Sequence, residues 1–337
     1  MTHAFSPRAF SPSAKLVTVF GGSGFLGRHV VRALAQRGYR VLVAVRRPDL
    51  AGHLQPLGAV GQIMAVQANV RFRDSVARAV EGADIVINLV GILQETGRQS
   101  FGTVQQHGAR TIAEAAAARG ARLIHVSALG ADKNSDALYA RSKALGEEAV
   151  FAAAPDAVVF RPSVLFGHGD GFFTRFAALA RTLPVLPIVG AQTKFQPVHV
   201  GDVAEAIARA VDGDVAGGRI YELGGPQVQT LRQLVDHVQT VTCRNRPVVS
   251  LPFGLGRIQA GIIETIDKLT FGILPDAFVI TRDQVKMLAR DNVVSETAVA
   301  EGRTLEGIGI APCAYEAIVA DYLWRFRKSG QFTEARV

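Results

Sequence analysis

At 337 residues, 48% of them apolar, the chain can bury a large core in one large or two modest domains, which excludes general disorder. Two cysteines, Cys243 and Cys313, exclude a disulfide scaffold and a cysteine-rich metal site, and they fit a reducing compartment. The net charge of +8 rests on thirty arginines against seven lysines. They are dispersed, with no basic run interleaved with aromatics, which argues against nucleic acid and leaves open a basic surface facing an anionic membrane or acidic partner, or simply an arginine-favouring composition.

Residues 1–14 hold Arg8, His3, several serines, Pro7 and Pro12 and no acid, and read as a disordered, leader-like arm. The two prolines spoil the amphipathic helix that a mitochondrial presequence would need. No apolar run reaches the roughly 18–20 residues that cross a bilayer. Lys15-Leu16-Val17-Thr18-Val19 is an apolar run of strand length. Phe20-Gly21-Gly22-Ser23-Gly24-Phe25-Leu26-Gly27-Arg28 follows, and then Val30, Val31, Leu34 and Ala35 recur at helical spacing. A strand, a glycine turn and a helix form the phosphate-binding start of a dinucleotide fold. Gly21 and Gly24 let the backbone turn and approach a pyrophosphate, Gly27 lets the helix lie close to the strand, and the helix N-terminus presents free N–H groups. The spacing G-x-x-G-x-x-G is typical of extended and atypical short-chain dehydrogenases.

Arg40–Val45 is a second strand ending in Arg46-Arg47-Pro48. An acid near this position binds the ribose 2′-hydroxyl of NAD; arginine attracts a 2′-phosphate instead. Arg46, with Arg47, therefore points to NADPH or NADP+ over NAD(H), against the alternative of a solvated charged strand end. Ile63–Val66 is a third strand, with Asn69 and Val70 beyond it placed near the adenine. Asp74–Val80 reads as a short helix. Residues 84–91 form a continuously apolar fourth strand whose end, including Leu89, Val90 and Gly91, is expected beneath the nicotinamide ribose. Residues 92–100 are loop-like, and Phe101–Arg119 reads as one helix stopped by Gly120.

A fifth strand, Arg122–Ser127, ends in a serine at the carboxyl edge of the sheet, where ligands bind in open α/β folds. Tyr139-Ala140-Arg141-Ser142-Lys143 lies on a helix that continues to Ala154, with tyrosine and lysine on one face. Two uses of this set stand open. Tyr139 could exchange a proton with a carbonyl or alcohol, with Lys143 lowering its pKa and Ser127 holding the substrate oxygen. Alternatively, the tyrosine and lysine merely clamp a bound nucleotide. Glu147 and Glu148 read as a helix-surface ion pair with Lys143.

Val158–Phe160 is a sixth strand, and Pro162 behind it completes the expected cofactor set. The whole is a Rossmann doubly wound parallel sheet over residues 15–162, with a smaller C-terminal α/β lid, 163–337, interleaved with it. In that half a helix spans about Phe173–Arg181, Gln196–Val200 is a short strand, and Asp202 can N-cap a helix Val203–Val211. Thr230 and Thr281 each open a helix with a capping box. The eight histidines show no metal-ligand spacing, so no metal is expected. Leu255, Ile258, Ile262, Ile266 and Leu269 make an apolar stripe. It reads either as core-facing or, with Phe271, Ile273, Leu274 and Phe278, as a face lying on a membrane or a large partner across 255–280.

The chain resembles the atypical short-chain dehydrogenase family that includes the NADPH-binding alpha-subcomplex accessory subunit 9 of respiratory complex I, especially its bacterial relatives. The matching stretches are 19–28, His125–Ala131, Tyr139–Lys143, Arg161–Gly167, Gln196–Val203, Tyr221–Pro226 and 274–294. The resemblance implies that Gly21, Gly24, Gly27 and Arg46 bind NADPH and that Tyr139 and Lys143 contact its ribose. It implies a structural cofactor that stabilises the complex I peripheral arm near the membrane. It also places the chain on the cytoplasmic face of a bacterial inner membrane or, alternatively, the matrix side of the mitochondrial one. Because Ser127, Tyr139 and Lys143 are all present, the other reading is an active NADP(H) oxidoreductase on a hydrophobic carbonyl or alcohol, a quinone precursor in ubiquinone biosynthesis among them.

Overall fold

The computed structural model describes residues 14–269 and 279–332. The expected arm before residue 14 lies outside them, as do Phe271, Ile273, Leu274 and Phe278 of the apolar stretch. The first half alternates strand and helix: β1 (Leu16–Phe20), α1 (Phe25–Gln36), β2 (Arg40–Val45), β3 (Ile63–Gln67), α2 (Arg73–Val80), β4 (Ile85–Asn88), α3 (Gly108–Arg119), β5 (Arg122–Val126), α4 (Leu138–Ala153) and β6 (Val158–Pro162). The second half continues with β7 (Leu165–Phe166), α5 (Phe173–Thr182), β8 (Leu186–Val189), β9 (Lys194–Phe195), β10 (Val198–His199), α6 (Val200–Asp212) and β11 (Arg219–Leu223). It ends with β12 (Gln229–Thr230), α7 (Leu231–Val241), β13 (Val248–Leu251), α8 (Phe253–Leu269), α9 (Arg282–Met287), α10 (Glu296–Ala300) and α11 (Tyr315–Leu323).

Seven strands form one parallel sheet in the order β11-β6-β5-β4-β1-β2-β3. This is the doubly wound order with a seventh strand at one edge. Because both faces are covered, successive residues of each strand enter different cores. Val17, Val19, Val41, Val43, Ile85 and Ile87 pack with Val30, Val31 and Leu34 of α1 and Val203 and Ile207 of α6. Phe20, Ala44, Val86, Leu123 and Val159 pack on the other side with α2, α3 and α4. A third core joins α5, α7, α11 and β8 in the second half.

Local signals in the sequence account for several element ends. Gly120 closes α3 in the left-handed conformation at φ 71°. Thr230 and Thr281 both form complete capping boxes, with Gln233 and Gln284 respectively. Three expectations are corrected. The helix expected from Phe101 is α-helical only from Gly108. Residues 102–107 form a π turn, a wider winding that turns Gln105 inward to donate to Ile92 O at 2.6 Å and accept from the Ser142 hydroxyl. Asp202 is not the N-cap of α6. His199 already carries the extended capping backbone and Val200 opens the helix, so Asp202 falls in the first turn, where its carboxylate accepts the Cys313 N–H at 2.7 Å. Glu147 is not a surface partner of Lys143. It is buried and bound by both arms of the Arg161 guanidinium at 2.9 and 2.6 Å, while Glu148 pairs with Lys133.

Candidate functional site

A cleft of about 270 Å³ opens beyond the carboxyl ends of β1, β2, β3 and β4. Its floor is the glycine turn. Gly21 has φ +80°, a left-handed conformation that suits glycine, and the Leu89–Val90 backbone lies 3.2–3.3 Å from where its Cβ would stand. Gly27 sits so close under the turn that a Cβ would come within 2.6 Å of Gly22 C. Gly24 is different: its φ is −75° and only Gly21 O, at 3.3 Å, lies near its Cβ position. Among the described residues no side chain caps α1, and its N-cap Gly24 is on the cleft lining, so the free first-turn N–H groups and the positive dipole end lie beside the cleft. A phosphate is the ligand such a turn suits.

The cleft lining unites Gly21, Ser23, Gly24, Arg46, Asn69, Val70, Leu89, Val90 and Gly91 from four separate stretches of the chain. Phe25, Leu26 and Gly27 belong to α1 behind the turn. Arg47 points away and pairs with Asp49 at 3.1 Å, both side chains well exposed. Arg71 takes the second cationic place on the lining, which the sequence reading missed. Its Nε lies 3.5 Å from Asn69 Oδ1 and its Nη1 donates to Arg98 O at 3.2 Å. The signal was available: Arg71 follows Asn69 by two positions in the same post-strand loop. Among the described residues no carboxylate lines the cleft. Ile92, Gln99 and Val104 also line it, and these come from a loop and a π turn that periodicity does not resolve.

Asn88 fixes the Leu89–Gly91 turn by accepting the Val90 N–H at 3.0 Å, and its amide lies 3.1 Å from His125 Nδ1. His125 is buried and pushed down to about 3 by desolvation, then by Lys143, so its imidazole is neutral. With Asn88 Nδ2 donating to Nδ1, the ring proton sits on Nε2.

Lys143 is buried, and its ammonium donates to Val126 O at 3.1 Å. It stands 3.3 Å from the place of a Cβ on Gly91, at the inner end of the cleft. Desolvation lowers its pKa to about 8, with Glu147 opposing that shift. Ser127 follows Val126 at the end of β5; its N–H donates to Phe160 O at 2.7 Å. The Ser127 hydroxyl is buried and makes no hydrogen bond among the described residues. Pro162 O, at the end of β6, accepts the Leu129 N–H at 3.0 Å and so anchors the loop after Ser127.

Tyr139 is half-buried by surface area, stacks edge-on against Phe101 with centroids 6.0 Å apart, and is packed tightly enough that its phenol is pushed up to about 12. The expected lowering of this phenol by Lys143 is not realised: burial is the dominant effect, and the ammonium is engaged with Val126 O.

His199, Asp202 and Cys313 bring donor atoms within 4.8 Å of one another, a juxtaposition hidden by their separation in sequence. Hydrogen bonding accounts for part of it, since Cys313 gives both its N–H and, at 3.5 Å, its thiol to Asp202. Burial and then Asp202 push that thiol up to about 11.

Known proteins share this architecture. The model of the NAD dependent epimerase/dehydratase family matches residues 17–224. The mitochondrial NADH dehydrogenase (ubiquinone) 1 alpha subcomplex subunit 9 of Arabidopsis thaliana is 35% identical over 326 residues, 95% of this chain and 80% of that one. A ceramide reductase of Caulobacter vibrioides is 39% identical over 270 residues, 72% of this chain and 82% of that one. Among solved structures, the NADPH complex of the Escherichia coli quinone oxidoreductase QOR2 has a TM-score of 0.70 at 19% identity, covering 91% of this chain and 99% of that one, a likeness of NAD(P)-binding fold. The chain therefore belongs to the NAD dependent epimerase/dehydratase family, in the group that holds the alpha subcomplex subunit 9 proteins.

Proposed function

We propose that this chain binds NADP(H) in the cleft and holds it as a structural cofactor, in a protein that serves the stability or assembly of a respiratory NADH:ubiquinone oxidoreductase. The observation that carries the reading is the cleft itself: a helix N-terminus without a side-chain cap over a glycine turn, with Arg46 and Arg71 and, among the described residues, no carboxylate on its lining. Gly21, Ser23 and Gly24 suit the pyrophosphate and the two guanidiniums the 2′-phosphate. Asn69 and Val70 suit the adenine, and Leu89, Val90, Gly91, Tyr139 and Lys143 the nicotinamide ribose. The similarity to the complex I subunit over 95% of the chain supports the partner. The site of action is then a membrane face, cytoplasmic in a bacterium or matrix-side in a mitochondrion. The exposed Leu255, Ile258 and Ile262 of α8 support surface contact there.

A second reading, reduction of a hydrophobic carbonyl, is favoured by the buried Ser127 hydroxyl, which makes no hydrogen bond among the described residues, and by the similarity to a ceramide reductase. When bound, the nicotinamide supplies hydride. Tyr139 donates the proton to the carbonyl oxygen, Ser127 hydrogen-bonds that oxygen, and Lys143 holds the ribose.

One titration followed by one chase tests both. NADPH is expected to bind more tightly than NADH, and Arg46→Ala and Arg71→Ala each to weaken NADPH about tenfold with little effect on NADH. Equal affinities would remove the NADP(H) assignment. Bound NADPH fluorescence is then followed as quinones, ketones and long-chain keto-lipids are added. Unchanged fluorescence with co-purifying complex I subunits supports the structural cofactor; decay that Tyr139→Phe abolishes supports the reductase.

A further inference from the structure

α4 carries Tyr139 and Lys143, yet it has no cap of its own: Ala137 stands at its N-cap and offers no acceptor side chain. The cap comes from far along the chain. The Asp283 carboxylate, on α9, accepts the Leu138 N–H at 2.6 Å with one oxygen and the Tyr139 N–H at 2.9 Å with the other. A carboxylate at this position satisfies two otherwise orphaned donors and meets the positive end of the α4 dipole. Two further bonds join the same segments. Lys286 donates to Asp136 O at 3.1 Å, and Arg290 pairs with Asp132 at 2.7 Å. α9 is in turn fixed to α8. Glu264 of α8 accepts the Arg282 N–H at 2.7 Å, and Gly261 leaves room for the Arg282 guanidinium, which would come within 2.6 Å of a Cβ there.

We propose that Asp283 is a positioning residue for the nucleotide, acting through the N-terminus of α4. In this arrangement the hold of Tyr139 and Lys143 on the ribose depends on α8 and α9 being seated. The inference rests on the reading that these two residues clamp NADP(H), and it adds where the clamp is controlled. A surface that docks on α8 would thereby tighten or loosen the cofactor through Glu264, Arg282 and Asp283.

The test uses the full chain loaded with NADPH, chased with excess NADP+ while fluorescence reports release. Asp283→Ala is expected to speed release about tenfold, the scale of losing a strong helix cap. Asp283→Asn, which keeps one acceptor, is expected to fall between. Amide exchange should rise at Leu138 and Tyr139 in Asp283→Ala and stay unchanged in β1, β4 and β5. Adding Ala137→Ser, a local cap on backbone already in the capping conformation (φ −80°, ψ 123°), should restore slow release. General loosening of the fold would not be rescued by that serine. Wild-type release from Asp283→Ala, with fast release from Lys143→Ala, overturns this inference alone. Wild-type release from Lys143→Ala as well would overturn the clamp reading and the inference with it.

Discussion

Lys143 concentrates the conflict between folding and binding in one side chain. Its folded pKa of about 8 lies below the ordinary lysine value of 10.5 because burial disfavours the ammonium. Between those values the unfolded chain holds more protons than the folded one, so this residue makes stability rise with pH across that window. Below pH 8 the fold carries the full cost of the buried charge. Lys143→Met is therefore expected to stabilise the fold at pH 7 by on the order of 3 kcal/mol, seen as a higher melting temperature, and the gain should fade toward pH 10.5. The same variant should release nucleotide faster. Thermal scans from pH 7 to 10 check this, and a gain independent of pH would show that packing rather than charge sets the effect. The Tyr139–Lys143 spacing was legible in sequence because a helix repeats on a short local period. The burial that lifts Tyr139 to about 12 was not, since it depends on Phe101, a residue from a distant segment.

At the scale of elements, the glycine turn divides its labour. Gly27 is needed by the fold: a Cβ would lie 2.6 Å from Gly22 C, and no flexible side chain is there to yield. Gly24 has ordinary φ and one close neighbour at its Cβ position, Gly21 O at 3.3 Å, so its small size serves chiefly the ligand. Gly24→Ala should lower the melting temperature only slightly and weaken NADPH at least tenfold, whereas Gly27→Ala should lose both, with about 2–3 kcal/mol of stability gone. Melting and nucleotide titration of the pair distinguish these roles; equal melting losses would refute the division. The strand–turn–helix order, β1 to β6, and the capping boxes at Thr230 and Thr281 were readable because each depends on neighbours within a few residues. The π turn around Gln105, the Arg161–Glu147 pair and the Asp202–Cys313 bond were not, because each is decided by a partner that folding brings from elsewhere. Arg71 was a missed local signal.

For the molecule as a whole, α8 inverts the usual arrangement. Its small residues Gly256, Ala260 and Gly261 pack inward, while Leu255, Ile258 and Ile262 are 55, 61 and 56% exposed. The core-facing reading of this stripe is thus corrected for those three residues. No helix among the described residues is long and apolar enough to cross a membrane. The proposed surface association would use this face, with exposed Arg257 beside it. Vesicles rich in anionic lipid should float the wild-type protein, and Ile258→Glu with Ile262→Glu should cut the bound fraction at least tenfold, given about 1.5–3 kcal/mol per buried side chain. Equal flotation of both proteins would assign the face to something other than lipid.

The pairing of β6 with the later edge strand β11 ties one side of β6 to a segment that emerges well after it. Residues 219–223 pair with β6 along its whole length, from Arg219 beside Val158 to Leu223 beside Pro162. A nascent chain that has emerged only as far as β6 carries an open row of N–H and C=O groups on that strand, a template for any other strand nearby. The nucleotide turn at β1 can already be formed at that moment. Protection of the sheet edge therefore waits on the second half of the chain, and the interval between the two is when a growing copy is most exposed to pairing with its neighbours on the polysome.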